Sequence, residues 1–278
     1  MSKKVCVITG GSSGIGFAAA RLMGQKGYTL VLAARTPAKL DTALEQLHKE
    51  GIEASACRCD IADWNSVQKL AACAAGLGEV SIVLHIAGMS PHMGDAGAII
   101  RGNALGTVHI HDAFYPLLAP QGCLVDTSSM SAYLAPGFLM PRKAYPLAYV
   151  DREAFLKKMQ ARVNLLPAKS RAGAAYAISK DFVIDYVRRE AARFGARGVR
   201  VLSVTPGNFD TPMGALEKEE AQAYLRFNAI PRLGKPEEIA ALYAAVSTPE
   251  MGYLTGTDIL CDGGCVAGKR VGHNATSR

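Results

Sequence analysis

The sequence predicts an α/β fold, a single domain built around a parallel β-sheet, and three observations predict it. Apolar runs of strand length alternate with longer stretches of helical period, the pattern of successive βα units. The first apolar run ends in a glycine-rich turn, TGGSSGIG at residues 9–16, which opens a helical stretch. No repeat, low-complexity tract or linker divides the 278 residues, a length that one large domain accommodates.

In chain order, strands are expected at 4–9, 28–34, 52–58, 80–86, 121–127, 198–204 and 257–261, with sequences such as YTLVLAA for the second and VSIVLHI for the fourth. Helices fit between them at about 14–26, 37–50, 64–75, 103–118, 173–194 and 236–247. Residues 130–172 break the rhythm, because a compact unit joins a strand to the next helix within about six residues. They begin with an apolar, proline-bearing stretch, APGFLMPRKAYP, and continue as DREAFLKKMQARVNLL, where Phe155, Met159, Val163 and Leu166 recur at helical spacing. A long insertion beside a site is expected to be a lid or a subunit contact. The plainer alternative is a helix that caps the core.

Composition narrows the function. Apolar residues make up 49% of the chain and charged residues 20%, as in a well-packed soluble globule. The net charge of +7 comes from scattered Lys and Arg among few aromatics (7%), so nucleic acid is not expected as a partner. A positive field suits an anionic cofactor or substrate instead. Seven cysteines without a C-x-x-C pair argue against a disulfide framework and point to free thiols in the cytoplasm. Cys57 and Cys59 form the only close pair, and buried core is their expected place. The apolar run behind MSKK spans only Val5 to Ile8, too short for a signal peptide, and no run approaches the roughly 18 residues of a membrane span. No metal is expected either, since His48, His85, His92, His109 and His111 lack H-E-x-x-H or similar ligand spacing.

Three chemistries compete for the turn. A phosphate loop of the G-x-x-x-x-G-K-[ST] type fails because Phe17 and Ala18 stand where Lys and Ser/Thr belong. A hydrolase elbow G-x-S-x-G fits Gly10 to Gly14 with Ser12 as nucleophile, but Ser12 follows the first strand and the only late histidine is His273. A dinucleotide turn uses Gly10, Gly14 and Gly16, whose missing side chains let a pyrophosphate approach the backbone at a helix N-terminus. The second strand ends in Ala33-Ala34-Arg35, where an acidic residue would bind the 2′-hydroxyl of NAD. An arginine fork there pairs with a 2′-phosphate, so NADP(H) is favoured and NAD(H) remains possible. A charge-assisted hydrogen bond of about 1.5–3 kcal/mol corresponds to roughly ten- to 150-fold in affinity.

Tyr176 and Lys180, in YAISK, stand at i and i+4 and so share one helix face. A tyrosine with an ordinary pKa near 10 needs a neighbouring positive charge to exchange protons at neutral pH, and an ammonium supplies one. The serines of DTSSMS end the strand at 121–127, on the edge where ligands of open α/β sheets bind. One of them could donate to a carbonyl oxygen.

With these letters the chain resembles the short-chain dehydrogenase/reductase family from Lys3 to about Gly264. Further matching letters are Asp60 in CDIAD, Asn103 in GNALGT, Ser129 in TSS, TPGNFDT at 205–211 and DGG at 262–264. The resemblance implies a Rossmann-type, doubly wound, seven-stranded parallel sheet with helices on both faces. Residues 1–264 would form the NAD(P)-binding catalytic domain, with 130–172 inserted, and 265–278 a polar tail. It implies that Tyr176 is the general acid/base, that Lys180 lowers its pKa and holds the nicotinamide ribose, that Ser129 polarises the carbonyl, and that Asn103 supports a water-linked proton relay. Gly10, Ser12, Ser13, Gly14 and Ile15 would surround the pyrophosphate and adenosine ribose, and Asp60 and Ile61 the adenine. Ala87 and Gly88 would form the turn after the fourth strand, and Pro206, Gly207, Phe209 and Thr211 the nicotinamide side. Homodimers or homotetramers through the helices around 103–118 and 173–194 are usual in the family.

Two departures from the family pattern stand out. Its N-N-A-G reads His85-Ile86-Ala87-Gly88 here, which removes a sheet-stabilising asparagine. Ser129 precedes Tyr176 by 47 positions (176 − 129), far more than is usual, which leaves the choice among Ser128, Ser129 and Ser131 open. A short segment after the fourth strand with a long one here resembles the bacterial hydroxysteroid dehydrogenase branch. Leu, Met, Phe and Tyr in the insertion suggest a lid over a large apolar alcohol or ketone, a steroid or bile acid first. The alternatives are a reductase of small ketones or 3-oxoacyl thioesters, and a catalytically silent NADP(H)-binding sensor. Asn274-Ala275-Thr276 matches a glycosylation sequon that a cytoplasmic chain leaves unmodified.

Overall fold

The computed structural model describes residues 3–272, and the side chains of all of these except 217 and 218. Strands β1 (Lys4–Thr9), β2 (Thr29–Ala34), β3 (Ala54–Arg58), β4 (Glu79–His85), β5 (Cys123–Thr127), β6 (Arg200–Pro206) and β7 (Asp258–Cys261) form one parallel sheet in the order β3-β2-β1-β4-β5-β6-β7. Strand order reverses between β1 and β4, the switch point at which the carboxyl ends part and leave a ligand crevice.

Period-two alternation decides which face each strand residue serves. Cys6 and Ile8 of β1, with Leu30 and Leu32 of β2, bury against α1 (Gly14–Gln25) and α2 (Pro37–Lys49). Val5, Val7 and Val31 point the other way, onto α3 (Trp64–Leu77). Beyond β4, α4 (Ala96–Ile100) runs through a π-turn, Arg101–Leu105, into α5 (Gly106–Phe114). This helix starts earlier than its apolar spacing suggests, because Asp95 caps it by accepting from the Ala98 N–H at 2.7 Å.

The insertion folds as α6 (Ser131–Leu134), α7 (Leu147–Val150) and α8 (Arg152–Asn164), and then merges into α9 (Ala168–Gly195). Phe155, Met159 and Val163 turn inward with Tyr145 and Ala148 against Ile99 and Ile100 of α4 and Phe182 and Tyr186 of α9, all buried. Leu166 lies past the end of α8 and is half-buried. Tyr145 donates its hydroxyl to Asp181 Oδ2 at 2.8 Å, and Arg142 reaches the same carboxylate at 2.6 Å, so the insertion is clamped to α9 one residue from Lys180. The segment is therefore a wall of the helical layer, which corrects the expectation of a lid.

After β6 follow α10 (Lys218–Leu225), α11 (Pro236–Ser247) and α12 (Cys265–Arg270). α11 completes the α1/α2 face through Ile239 and Tyr243. The expected tail at 265 is corrected as well: Cys265 and Val266 are buried against Met130, so the chain stays packed through α12. His273 and the sequon at 274–276 lie outside the described residues. No helix among the described residues is long and apolar enough to cross a membrane.

Candidate active site

At the carboxyl ends of the strands lies a cavity of about 460 Å³, within the range of small-molecule sites. Its floor is the glycine turn between β1 and α1. Gly10 and Gly14 take left-handed backbone angles, φ +72° and +54°, that other residues rarely adopt. A Cβ at Gly10 would come within 2.9 Å of the Ala87 nitrogen, so the first turn can close only on glycine. Ser12, Ser13 and Ile15 line the cavity, and Ser13 makes no side-chain cap to the first turn of α1, which leaves that turn's amides for an anion.

The adenosine end is cationic. Arg35 is exposed directly after β2 and lines the cavity together with Lys39, one turn on at the start of α2. Asp60 and Ile61 line the opposite wall, where the Asp60 carboxylate accepts from the Ala62 N–H at 3.0 Å and fixes the turn. Ala87 and Gly88 form the wall after β4. His85 stands there where the family pattern has an asparagine. The Thr9 hydroxyl accepts from the Ala87 N–H at 3.1 Å and donates to His85 Nδ1 at 2.8 Å. Burial pushes the His85 imidazole down to about 4, so it is neutral and able to accept.

Lys180 is buried and donates through Nζ to the Thr127 carbonyl at 2.8 Å. Burial pushes its ammonium down to about 8, against an opposing pull from Asp126. The same Nζ lies 5.9 Å from the centre of the Tyr176 ring, and Tyr176, half-buried, faces the cavity. A Cβ at Gly88 would stand 3.2 Å from both Lys180 Nζ and Asn103 Oδ1, so glycine lets these two side chains approach the strand end. Asn103 sits in the π-turn, does not itself line the cavity, and ties that turn to the wall. Its amide donates to the Met89 carbonyl at 3.0 Å and to Ser179 Oγ at 3.1 Å, and its oxygen accepts from the Met89 N–H at 2.7 Å.

The serines divide. Ser128 lines the cavity, but its hydroxyl is held by the Lys180 carbonyl at 2.8 Å. Ser129 is nearly buried beside it, accepting from the Ser131 N–H at 3.2 Å and donating to Ser131 Oγ at 3.3 Å, and is not part of the wall. Pro206 and Thr211 line the cavity, whereas Gly207 and Phe209 do not. Gly207 packs on the end of β7, its N–H donating to the Cys261 carbonyl at 2.9 Å. The Phe209 ring is core, pressed against Gly234, so its side chain faces away from the cavity wall.

Sequence reasoning missed Lys39, Arg101, Met89, Met93 and Met213, which also line the cavity. Lys39 was findable as a second cation in the first turn of the helix that follows Arg35; the methionines carry no spacing signal. No residue of 130–172 reaches the wall. Among the described residues, no group of three or more His, Cys, Asp or Glu could hold a metal ion.

The donor set fits a dinucleotide: bare helix amides for a pyrophosphate, cations at the ribose end and a lysine at the other. Comparison with known proteins agrees. A family model described as short chain dehydrogenase matches residues 4–141, and one described as enoyl-(acyl carrier protein) reductase matches residues 156–266. The chain is 31% identical over 272 residues to the short-chain dehydrogenase/reductase bsc3 of Alternaria brassicicola, covering 96% of this chain and 97% of that one. It is 29% identical to a 3-alpha-hydroxysteroid dehydrogenase/carbonyl reductase of Comamonas testosteroni, covering 94% and 95%. A short-chain dehydrogenase from Burkholderia cenocepacia, solved in complex with NADP, superposes with a TM-score of 0.76 at 26% identity, covering 94% of this chain and 97% of that one.

Proposed function

The chain belongs to the short-chain dehydrogenase/reductase family, and on that premise we propose that it interconverts a secondary alcohol and its ketone with NADP(H), polycyclic apolar alcohols such as hydroxysteroids or bile acids being the preferred class. The observation that carries this reading is the buried Lys180 ammonium, 2.8 Å from the Thr127 carbonyl and beneath the Tyr176 ring. When bound, the dinucleotide supplies or accepts the hydride.

The chain's own residues handle the proton. Tyr176 takes the hydroxyl proton in oxidation and returns it in reduction, because the adjacent ammonium favours its phenolate. Ser129 donates to the carbonyl oxygen after its hydroxyl leaves Ser131 and turns to the cavity, whose wall holds the neighbouring Ser128 in this structure. Asn103 positions the wall that carries Met89, and Gly88 leaves room for Lys180 beside it.

Arg35 and Lys39 together, with no acidic side chain at the end of β2, support the phosphorylated cofactor. Met89, Met93 and Met213 support an apolar substrate, since thioethers adapt to irregular hydrocarbon surfaces. The Comamonas relative, by its name, acts on 3-alpha-hydroxysteroids. Association into a homodimer or homotetramer belongs to the same reading.

The test is nicotinamide absorbance with NADP+ and NAD+ in turn against steroid and bile-acid alcohols and small secondary alcohols. Fast NADP+-dependent turnover of a polycyclic alcohol is expected. Turnover of small alcohols only would discard the substrate class, and cofactor binding with no turnover in either direction would make the chain a sensor.

A further inference from the structure

Behind Lys180 lies a group of ionisable side chains that the proton chemistry above does not use. Asp126, one residue before Thr127 on β5, is fully buried. His111 of α5 donates through Nε2 to Asp126 Oδ2 at 2.7 Å, and its Nδ1 lies 3.5 Å from Glu190 Oε2 on α9. Glu190 accepts from Arg193 at 2.8 Å, Arg193 reaches Asp112 at 3.2 Å, and Asp112 pairs with Arg152 near the surface. Charge thus alternates from Lys180 to solvent: plus, minus, plus, minus, plus, minus, plus.

Packing alone gives no reason for the inner three, because buried ionised groups cost several kcal/mol each and apolar residues of the same size are often as stable. Water is excluded around them: the Tyr186 and Phe194 rings lie 4.9 and 5.3 Å from the imidazole of His111. Asp126 Oδ1 has no hydrogen-bond partner, so that carboxylate is incompletely neutralised. The other groups facing Asp126 are neutral or already placed. They are His85, in register with it on β4, Ser203, in register on β6, and Lys180 on α9. Around His111 and Glu190 stand Tyr186, Tyr149 stacked on it from α7, and Arg193.

We propose that the buried stack Asp126–His111–Glu190 is a positioning device that sets the charge felt by Lys180 and so the pH range in which Tyr176 and Lys180 exchange a proton. Two carboxylates and one imidazolium leave the stack one net negative charge, with Asp126 nearest the lysine. Burial would push the His111 imidazole down, but the Asp126 and Glu190 carboxylates outweigh it and raise it to about 9, so the cation persists at neutral pH. Removing the anion and removing the cation must therefore act on Lys180 with opposite signs. This inference rests on the catalytic roles assigned to Tyr176 and Lys180, and its test is built to fail separately from them.

The alkaline limb of kcat/KM for ketone reduction reports loss of the proton from the Tyr176–Lys180 pair. Asp126→Asn is expected to move that limb down by about one pH unit, and His111→Gln, which keeps a donor for Asp126, to move it up by a similar amount. Limbs that stay put, or move the same way in both variants while only the melting temperature falls, overturn the proposal. Two measurements need no turnover. In the wild-type protein without cofactor, the His111 ring signals in NMR are expected to show an imidazolium at pH 7.5. The Lys180 ε-carbon midpoint is expected to fall in Asp126→Asn and rise in His111→Gln. A neutral His111 at pH 7.5 overturns the proposal even if the variants do not fold, and the wild-type spectrum decides even if no ketone is reduced.

Discussion

Lys180 donates to the Thr127 carbonyl at 2.8 Å, and that bond crosses from α9 to the end of β5. It fixes the ammonium where burial opposes its charge, and places it 5.9 Å from the Tyr176 ring. Tyr176→Phe removes the proposed proton carrier and leaves this bond intact. It is expected to lower kcat by about 10²- to 10⁴-fold while the cofactor Kd, followed by nicotinamide fluorescence, changes less than about threefold.

An ammonium held at about 8 instead of its ordinary 10.5 destabilises the fold at neutral pH by on the order of 3 kcal/mol. The sign follows from a folded value below the unfolded one: stability is greatest above 10.5 and falls as pH drops toward 8. Lys180→Met, which leaves the Thr127 carbonyl without its donor but removes the buried charge, is expected to raise the melting temperature at pH 7 and to abolish turnover. A lower melting temperature would mean that the hydrogen bond outweighs desolvation.

His111 works in the opposite sense. Its folded value of about 9 exceeds the ordinary 6.5, so its contribution is complete below 6.5 and is lost as pH rises through about 9. Urea unfolding across that window is expected to show a decline on the order of 3 kcal/mol that His111→Gln flattens. An unchanged slope in the variant would assign the decline to another group.

Arg35 and Lys39 are exposed, so each is discounted for solvent screening. Arg35→Ala is expected to weaken NADP(H) binding about tenfold and NAD(H) hardly at all, and adding Lys39→Ala to weaken NADP(H) further. Equal losses for both cofactors, measured by calorimetry, would remove the 2′-phosphate assignment.

Phe155 is fully buried between α8 and α9 and does not face the cavity. Phe155→Ala is expected to cost about 3–5 kcal/mol of unfolding free energy. KM for the alcohol should stay within about twofold of wild type; a selective rise in KM with little loss of stability would restore the lid.

How much was legible follows from distance along the chain. Gly10, Gly14, Arg35, Tyr176 and Lys180 belong to short patterns, carried by one turn, one strand end or one helix face, on which the family resemblance rests, and all five line the cavity. Apolar spacing also revealed α8, but it shows only that a helix has a face to bury. Whether Phe155 covers a substrate or meets Phe182 depends on where α9 lies, and here it meets Phe182. Phe209 shows a related limit, since a motif fixes the backbone path and leaves the ring to find its own partner, here Gly234.

The sequence by itself determined the alternating βα architecture, the cofactor turn and the tyrosine–lysine pair, because each depends on residues within a few positions of one another. Tertiary structure alone decided that His85 meets Thr9, that the insertion is a wall, and that Asp126, His111 and Glu190 meet. Those contacts join strands and helices that are separate along the chain. The low-dielectric interior then gives them their strength, by excluding the water that would screen the same charges on the surface.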